Sequence, residues 1–245
     1  MSKRDLIAIG RSSIDLYSQD IGVPFKEISG FNAFVGGSPL NISVGCSRLG
    51  LKSTLLTAVG KDKVGEFILN FLNKENVNTE FIPTKENARS SAVLLGIEPP
   101  DKFPLVFYRD NAADTLINVD DVNNANIANH KVLLVNGTAL NKEPSRAATI
   151  HAIEIAKKNS VSVVMDLDFR ADQWEDYRSF GRVVRSIISK VDIAIGTEEE
   201  VLASMLKDSS QVTIKHQQIS SPEIKGDLNK SIEGLIKLGT GTLIV

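Results

Sequence analysis

Val35-Gly36-Gly37-Ser38-Pro39-Leu40-Asn41 joins a pair of glycines to what reads as the start of a helix. Paired glycines let a backbone approach a ligand closely, because no Cβ stands in the way. Ser38 stands where a helix N-cap belongs and Pro39 at the first helical position, which predicts a helix from here. Asn41 then falls in the first turn, where a buried amide can meet a polar ligand. Three further polar clusters follow apolar runs: Asn136-Gly137-Thr138 after Val135, Asp166-Leu167-Asp168-Phe169-Arg170 after Met165, and Gly196-Thr197-Glu198-Glu199-Glu200 after Ile195. Their chemistry is that of a small-molecule site.

The elements that must position these groups alternate. Short apolar, β-branched runs at Leu6–Ile9, Leu55–Val59, Val132–Val135, Val161–Met165, Asp192–Ile195 and Thr242–Val245 read as buried strands. Val64–Leu72, Arg146–Lys157 and Phe180–Ile188 carry apolar residues at helical spacing. This alternation predicts an α/β fold with a mostly parallel central sheet flanked by helices. Open parallel sheets bind ligands at their carboxyl edge, where loops and helix N-termini gather. The three polar clusters fall at that edge. Leu16–Val35 and Arg89–Tyr108 alternate differently and are more polar, which predicts a small second sheet. The segment from Asp208 to Asp227 is polar and reads as an irregular surface loop.

The 245 residues suit one large domain, and 42% hydrophobic content with 24% charge is ordinary for a globular protein with a core. A net charge of −2 with scattered basic residues argues against nucleic acid or an anionic membrane as partner. No apolar run approaches membrane-spanning length, and the single Cys46 permits no internal disulfide, so a reduced cytoplasmic setting is expected. The phosphate loop G-x-x-x-x-G-K-[ST], the dinucleotide G-x-G-x-x-G and the nucleophile elbow G-x-S-x-G are all absent. One cysteine and three dispersed histidines, His130, His151 and His216, have no zinc spacing and read as surface or packing residues.

Gly36-Gly37-Ser38-Pro39-Leu40-Asn41-Ile42-Ser43, followed by Gly50 and Gly60, resembles the first signature of the ribokinase-like (PfkB) carbohydrate kinases. Gly60-Lys61-Asp62 and Gly65 continue in the family manner, and Gly10 through Asp15 resembles its sugar-binding turn. Within the family, Phe107-Tyr108-Arg109-Asp110, Asp166-Leu167-Asp168-Phe169-Arg170 with Trp174, and Thr197-Glu198-Glu199-Glu200 resemble the kinases of acid sugars. The resemblance runs over essentially all of residues 1–245. It implies a ribokinase-like sheet with a β lid, its strands lying roughly within 16–35 and 89–110.

The same resemblance implies ATP- and Mg²⁺-dependent phosphorylation of a sugar acid, with 5-dehydro-2-deoxygluconate of inositol catabolism the favoured acceptor and 2-keto-3-deoxygluconate or another sugar next. Asp15, Gly36, Gly37, Asn41, Tyr108, Arg109, Asp168 and Arg170 would hold the acceptor. Two arginine forks would suit a carboxylate better than a neutral sugar. Glu200 would reach Mg²⁺ through water on the nucleotide side, with Thr197 in place of the family's asparagine. Each residue also has a plainer reading: Asp15 as a turn cap, Arg109 as a solvated side chain, Glu200 as an acidic residue favoured at a helix N-terminus. Cys46 and Trp174 read as packing residues. The aspartate base belongs to a second, G-A-G-D-type signature, expected beyond Val245, so the chain reads as a C-terminally truncated, impaired kinase with no catalytic base of its own. The alternative of another class is a non-catalytic sugar-acid-binding or dimerisation module; the resemblance separately implies a homodimer through the lid.

Overall fold

A computed structural model describes residues 3–100, 102–214 and 222–245; His216 lies outside them. In chain order the elements are β1 (Arg4–Ile9), β2 (Ser13–Ile21), β3 (Phe31–Gly36), α1 (Ser38–Arg48), β4 (Ser53–Leu56), β5 (Val59–Gly60) and α2 (Lys63–Lys74). Then come β6 (Thr84–Lys85), β7 (Ser91–Ile97), β8 (Leu105–Tyr108), α3 (Val119–Asn124), β9 (His130–Asn136), α4 (Ser145–Lys158) and β10 (Ser162–Asp166). The remainder is α5 (Tyr177–Ile187), β11 (Ile193–Ile195), α6 (Glu198–Ser204), β12 (Val212–Thr213), β13 (Glu223–Ile224), α7 (Leu228–Lys237) and β14 (Thr242–Ile244).

Six strands form one parallel sheet in the order β14-β11-β10-β9-β1-β4. Its central strands are apolar on both faces, as parallel strands sandwiched between helices must be. Ile7, Ile9, Leu133, Val135, Val163 and Met165 pack on one side with Ala152 and Ile153 of α4 and Phe180 and Val184 of α5. Leu6, Ala8, Leu55 and Leu134 face the other way, onto Leu40 and Val44 of α1 and Ile68 and Leu72 of α2. That second face is covered only in part among the described residues. Ile193 and Ile195 of β11 are 36% and 40% exposed, and Ile244 of β14 is 49% exposed. His130 is buried between Thr54 and Asn126, and burial pushes its imidazole pKa down, while His151 bonds Asn123 near the surface.

A second sheet of four strands, in the order β3-β2-β7-β8, occupies the two regions whose alternation differed. Register pairs Asp15 with Phe34 and Val93, and Val93 with Phe107, so these four share a face. Ile14, Leu16, Leu94, Val106 and Tyr108 lie on the opposite one. Where an irregular loop was expected near the C-terminal end, β12 and β13 pair antiparallel across it.

The first helix starts one residue earlier than the spacing predicts. Gly37 is its N-cap, with φ of +108°, and Ser38 and Pro39 are its first two residues. Ser38 donates its hydroxyl to Asp166 rather than to its own helix end. A serine can cap only while its backbone stays extended, and here the glycine takes the non-helical position.

Candidate functional site

The site grows from the carboxyl ends of β1, β9, β10 and β11, with β2, β8 and the β3–α1 turn bordering it. Two glycines are needed for the close approach. A Cβ at Gly36 would lie 2.0 Å from the Asp15 carboxylate, and one at Gly37 would lie 2.3 Å from the Arg11 carbonyl. Asp15 is thus set against bare backbone, and Ser13 donates to its Oδ1 at 2.6 Å.

Asp168 sits at the centre. Its φ of +38° is a left-handed conformation that aspartate tolerates better than most residues. Its Oδ2 accepts from Asn136 Nδ2 at 2.5 Å and Thr138 Oγ1 at 3.2 Å, and its Oδ1 pairs with Arg170 Nη2 at 2.6 Å. Arg170 Nη1 also reaches Glu200 Oε1 at 3.4 Å. Glu200 folds back to close a capping box: the Thr197 amide donates to Oε2 at 3.0 Å and the Phe169 amide to Oε1 at 3.1 Å. Burial lifts the Glu200 pKa to about 7; Asp168 and Asp166 push the same way, against the Thr197 amide and Arg170. Burial and the nearby Asp168 likewise raise Asp166, despite the Ser38 hydroxyl.

Arg109 is 7% exposed and already engaged. Its Nε and Nη2 both donate to Asp114 Oδ2, at 2.9 and 2.6 Å. Nη1 donates to Gln173 Oε1 at 2.7 Å, and Nη2 also reaches the Thr138 carbonyl. A cavity of about 480 Å³ opens beside it, between Phe107, Asn141, Arg146, Asp172 and Trp174. Asp172 feels the charges of Arg170, Arg109 and Arg11, although burial still raises its pKa. Arg11, Arg109 and Arg170 thus gather around Asp172, and the charges of Asp15 and Asp168 both reach Arg11. No group of three or more His, Cys, Asp or Glu among the described residues is arranged to hold a metal ion. Both Glu200 oxygens are turned to main-chain amides, so direct chelation of Mg²⁺ does not fit these residues.

Of the residues singled out in the sequence, Asp15, Gly36, Gly37, Asp168, Arg170, Thr197 and Glu200 line this edge, and Arg109 forms its wall. Two do not join them. Tyr108 is 61% exposed on the opposite face of β8 from Phe107, because successive strand residues point to opposite sides. Asn41 is exposed on α1, where it lines a separate groove with Val44 and Phe71. Arg11, Asn136 and Asp166 belong to the network without having been assigned a role. The signal for Asn136 and Asp166 was present in their position at strand ends, and for Arg11 in its place beside Gly10.

The chain matches the model of the pfkB family carbohydrate kinases over residues 3–225. It is 38% identical over 224 residues to 5-dehydro-2-deoxygluconokinase of Halalkalibacterium halodurans, covering 90% of this chain and 68% of that one. The Clostridium beijerinckii protein of the same name is 37% identical over 220 residues, covering 87% and 65%. The chain thus spans about two thirds of the length of these relatives. A sugar kinase from Pyrococcus horikoshii, also solved in complex with ATP, superposes with a TM-score of 0.75 at 31% identity, over 82% of this chain and 65% of that one. Fructokinase from Xylella fastidiosa with bound ATP has a TM-score of 0.79 at 20% identity, over 99% and 72%, and so shares the fold. The sheet order, the Gly36-Gly37 turn and the match over most of its length agree: this chain belongs to the pfkB family of carbohydrate kinases.

Proposed function

We propose that this chain forms the acceptor side of an ATP-dependent kinase of a sugar acid, with 5-dehydro-2-deoxy-D-gluconate, phosphorylated at its 6-hydroxyl, as the acceptor. The observation that carries the reading is the concentration of Arg11, Arg109 and Arg170 around Asp172 at the carboxyl edge, with Asp168 paired to Arg170 and Asp15 beside Arg11. Fixed guanidinium donors suit an acid, and Asp15 supplies an acceptor for hydroxyls. Support comes from the name shared by the relatives. Asp15, Gly36 and Gly37 would hold one end of the sugar, and Asp168, Arg109 and Arg170 the other. The four-stranded sheet would exclude water from the cleft. ATP with Mg²⁺ supplies the transferred phosphoryl group and neutralises its charge. Thr197 and Glu200 border the nucleotide side, with Glu200 reaching the cation through water. No base is assigned among these residues, since no aspartate here follows a G-A-G turn. The outward apolar face of β8 and β2, with Val106 and Tyr108 exposed, is the surface through which a homodimer would form.

Calorimetric titration tests the reading. The acid is expected to bind and its neutral analogue, the C1 alcohol, to bind much more weakly. Binding of a neutral hexose with no binding of the acid would overturn it. Coupled measurement of ADP release in the same samples asks separately whether this chain turns over, and turnover would place a base within it.

A further inference from the structure

Arg11 is the guanidinium of the cluster that grips no carboxylate among the described residues. It is 8% exposed, as buried as Arg109, yet makes no ion pair with any described residue. Its single hydrogen bond is a long one, from Nη1 to Ser13 Oγ at 3.4 Å. Its plane rests on Phe107, with Cζ 5.0 Å from the ring centroid. Nε is enclosed with no partner, while Nη2 has none either and is not enclosed. The other arginines behave differently. Arg109 and the exposed Arg48 each grip a carboxylate through the Nε–Nη2 edge, on Asp114 and Glu75. Arg170 is matched by Asp168 and Glu200.

A buried guanidinium with no direct ion pair and unpartnered N–H groups is costly, and a bound anion would relieve that cost. The position of Arg11 says where that anion comes from. Ser13, its only polar neighbour by hydrogen bond, donates in turn to Asp15, and Phe107 lies on the cleft-facing side of the four-stranded sheet. The charges of Asp15, Asp168, Asp114 and Arg109 all act on Arg11, although burial is the largest influence and pushes its pKa down. The guanidinium therefore stands beside Phe107 and Ser13, among the residues proposed above to hold the acceptor.

We propose that Arg11 is the residue that receives the acceptor's carboxylate, at Nη2, and so decides between acid and neutral sugars, while Arg109 and Arg170, already paired with Asp114 and Asp168, hold the same end of the sugar beside it. This rests on the sugar-acid reading above. A neutral sugar leaves Arg11 without a direct ion pair, whereas an acid supplies one in surroundings where water competes poorly. Selection then comes from the ligand's charge more than from its shape.

The test compares 5-dehydro-2-deoxy-D-gluconate with its C1 alcohol on the 245-residue chain, by calorimetry. Arg11→Gln should weaken the acid about 10- to 100-fold, the ratio expected from one charge-assisted hydrogen bond, and leave the alcohol within about twofold. Arg11→Lys should recover part of the preference. A purely structural role for Arg11 would weaken both ligands together, and that result overturns the proposal. So does an Arg11→Gln chain that keeps its preference for the acid. A wild-type chain that binds neither compound overturns the sugar-acid reading itself, and this assignment with it. Should Arg11→Gln fail to fold, the Arg11 Nε–H resonance of the ¹⁵N-labelled wild type decides: it should shift with the acid and not with the alcohol, and an equal response to both overturns the assignment.

Discussion

Replacing Glu200 by glutamine should flatten the dependence of stability on pH. Glu200 is 7% exposed, and burial raises its pKa from 4.5 to about 7. A carboxyl whose pKa is higher in the folded state keeps a proton there that the unfolded chain gives up. Its contribution is therefore fully present below pH 4.5 and is lost as pH rises through about 7. At about 1.4 kcal/mol per pH unit the full effect is roughly 3 kcal/mol, of which about 2.5 kcal/mol falls between pH 5 and pH 8. Glutamine cannot titrate, yet its amide oxygen can still accept from one of the two amides that Glu200 serves. Urea unfolding of both proteins at the two pH values, followed by Trp174 fluorescence, measures the difference. The wild type should lose about 1 M more in midpoint than Glu200→Gln across that range. Asp166 and Asp172, whose pKa values are also raised, are present in both proteins, so the comparison isolates Glu200. Parallel pH dependences would refute the reasoning, since they would mean that Glu200 stays ionised in the fold throughout.

Arg109→Met should destabilise the chain by about 3–5 kcal/mol, because Asp114 would be left buried without its cation; Arg109→Met with Asp114→Leu should recover much of that in the same urea assay. Gly37→Ala should cost more than about 2 kcal/mol, since φ is +108° and the new Cβ would meet the Arg11 carbonyl; Gly50→Ala, at φ of +86° but in open space, should cost about 1 kcal/mol. A smaller effect at Gly37 than at Gly50 would mean that the turn relaxes freely. Leu133→Ala in the enclosed core should cost about 2–5 kcal/mol, while Ile193→Lys on the uncovered sheet face should change stability by less than about 0.5 kcal/mol and raise solubility.

The strands β1, β9, β10, β11 and β14 were legible because an apolar run between polar clusters has few other ways to bury itself. Helices α2, α4 and α5 were equally legible from spacing. Local misreadings have local causes. Ser38 looked like a cap, but Asp166, far away in sequence, takes its hydroxyl and Gly37 takes the cap position. Arg109 reads in the sequence as a free fork, but Asp114, five residues on, occupies its Nε–Nη2 edge.

The amino-acid sequence alone determined the class of fold, which follows from the periodicity of neighbouring residues, and pointed to the family through the resemblance of the Gly36-Gly37 signature; it also put polar clusters at the ends of three strands. Only the tertiary structure decided which buried arginine is left without a direct carboxylate partner, that Tyr108 faces away from Phe107, and that burial lifts Glu200 to about 7. These depend on partners brought together from distant segments and on the loss of water around them. Charge pairing and desolvation act through space, and the order of residues does not state which groups will meet.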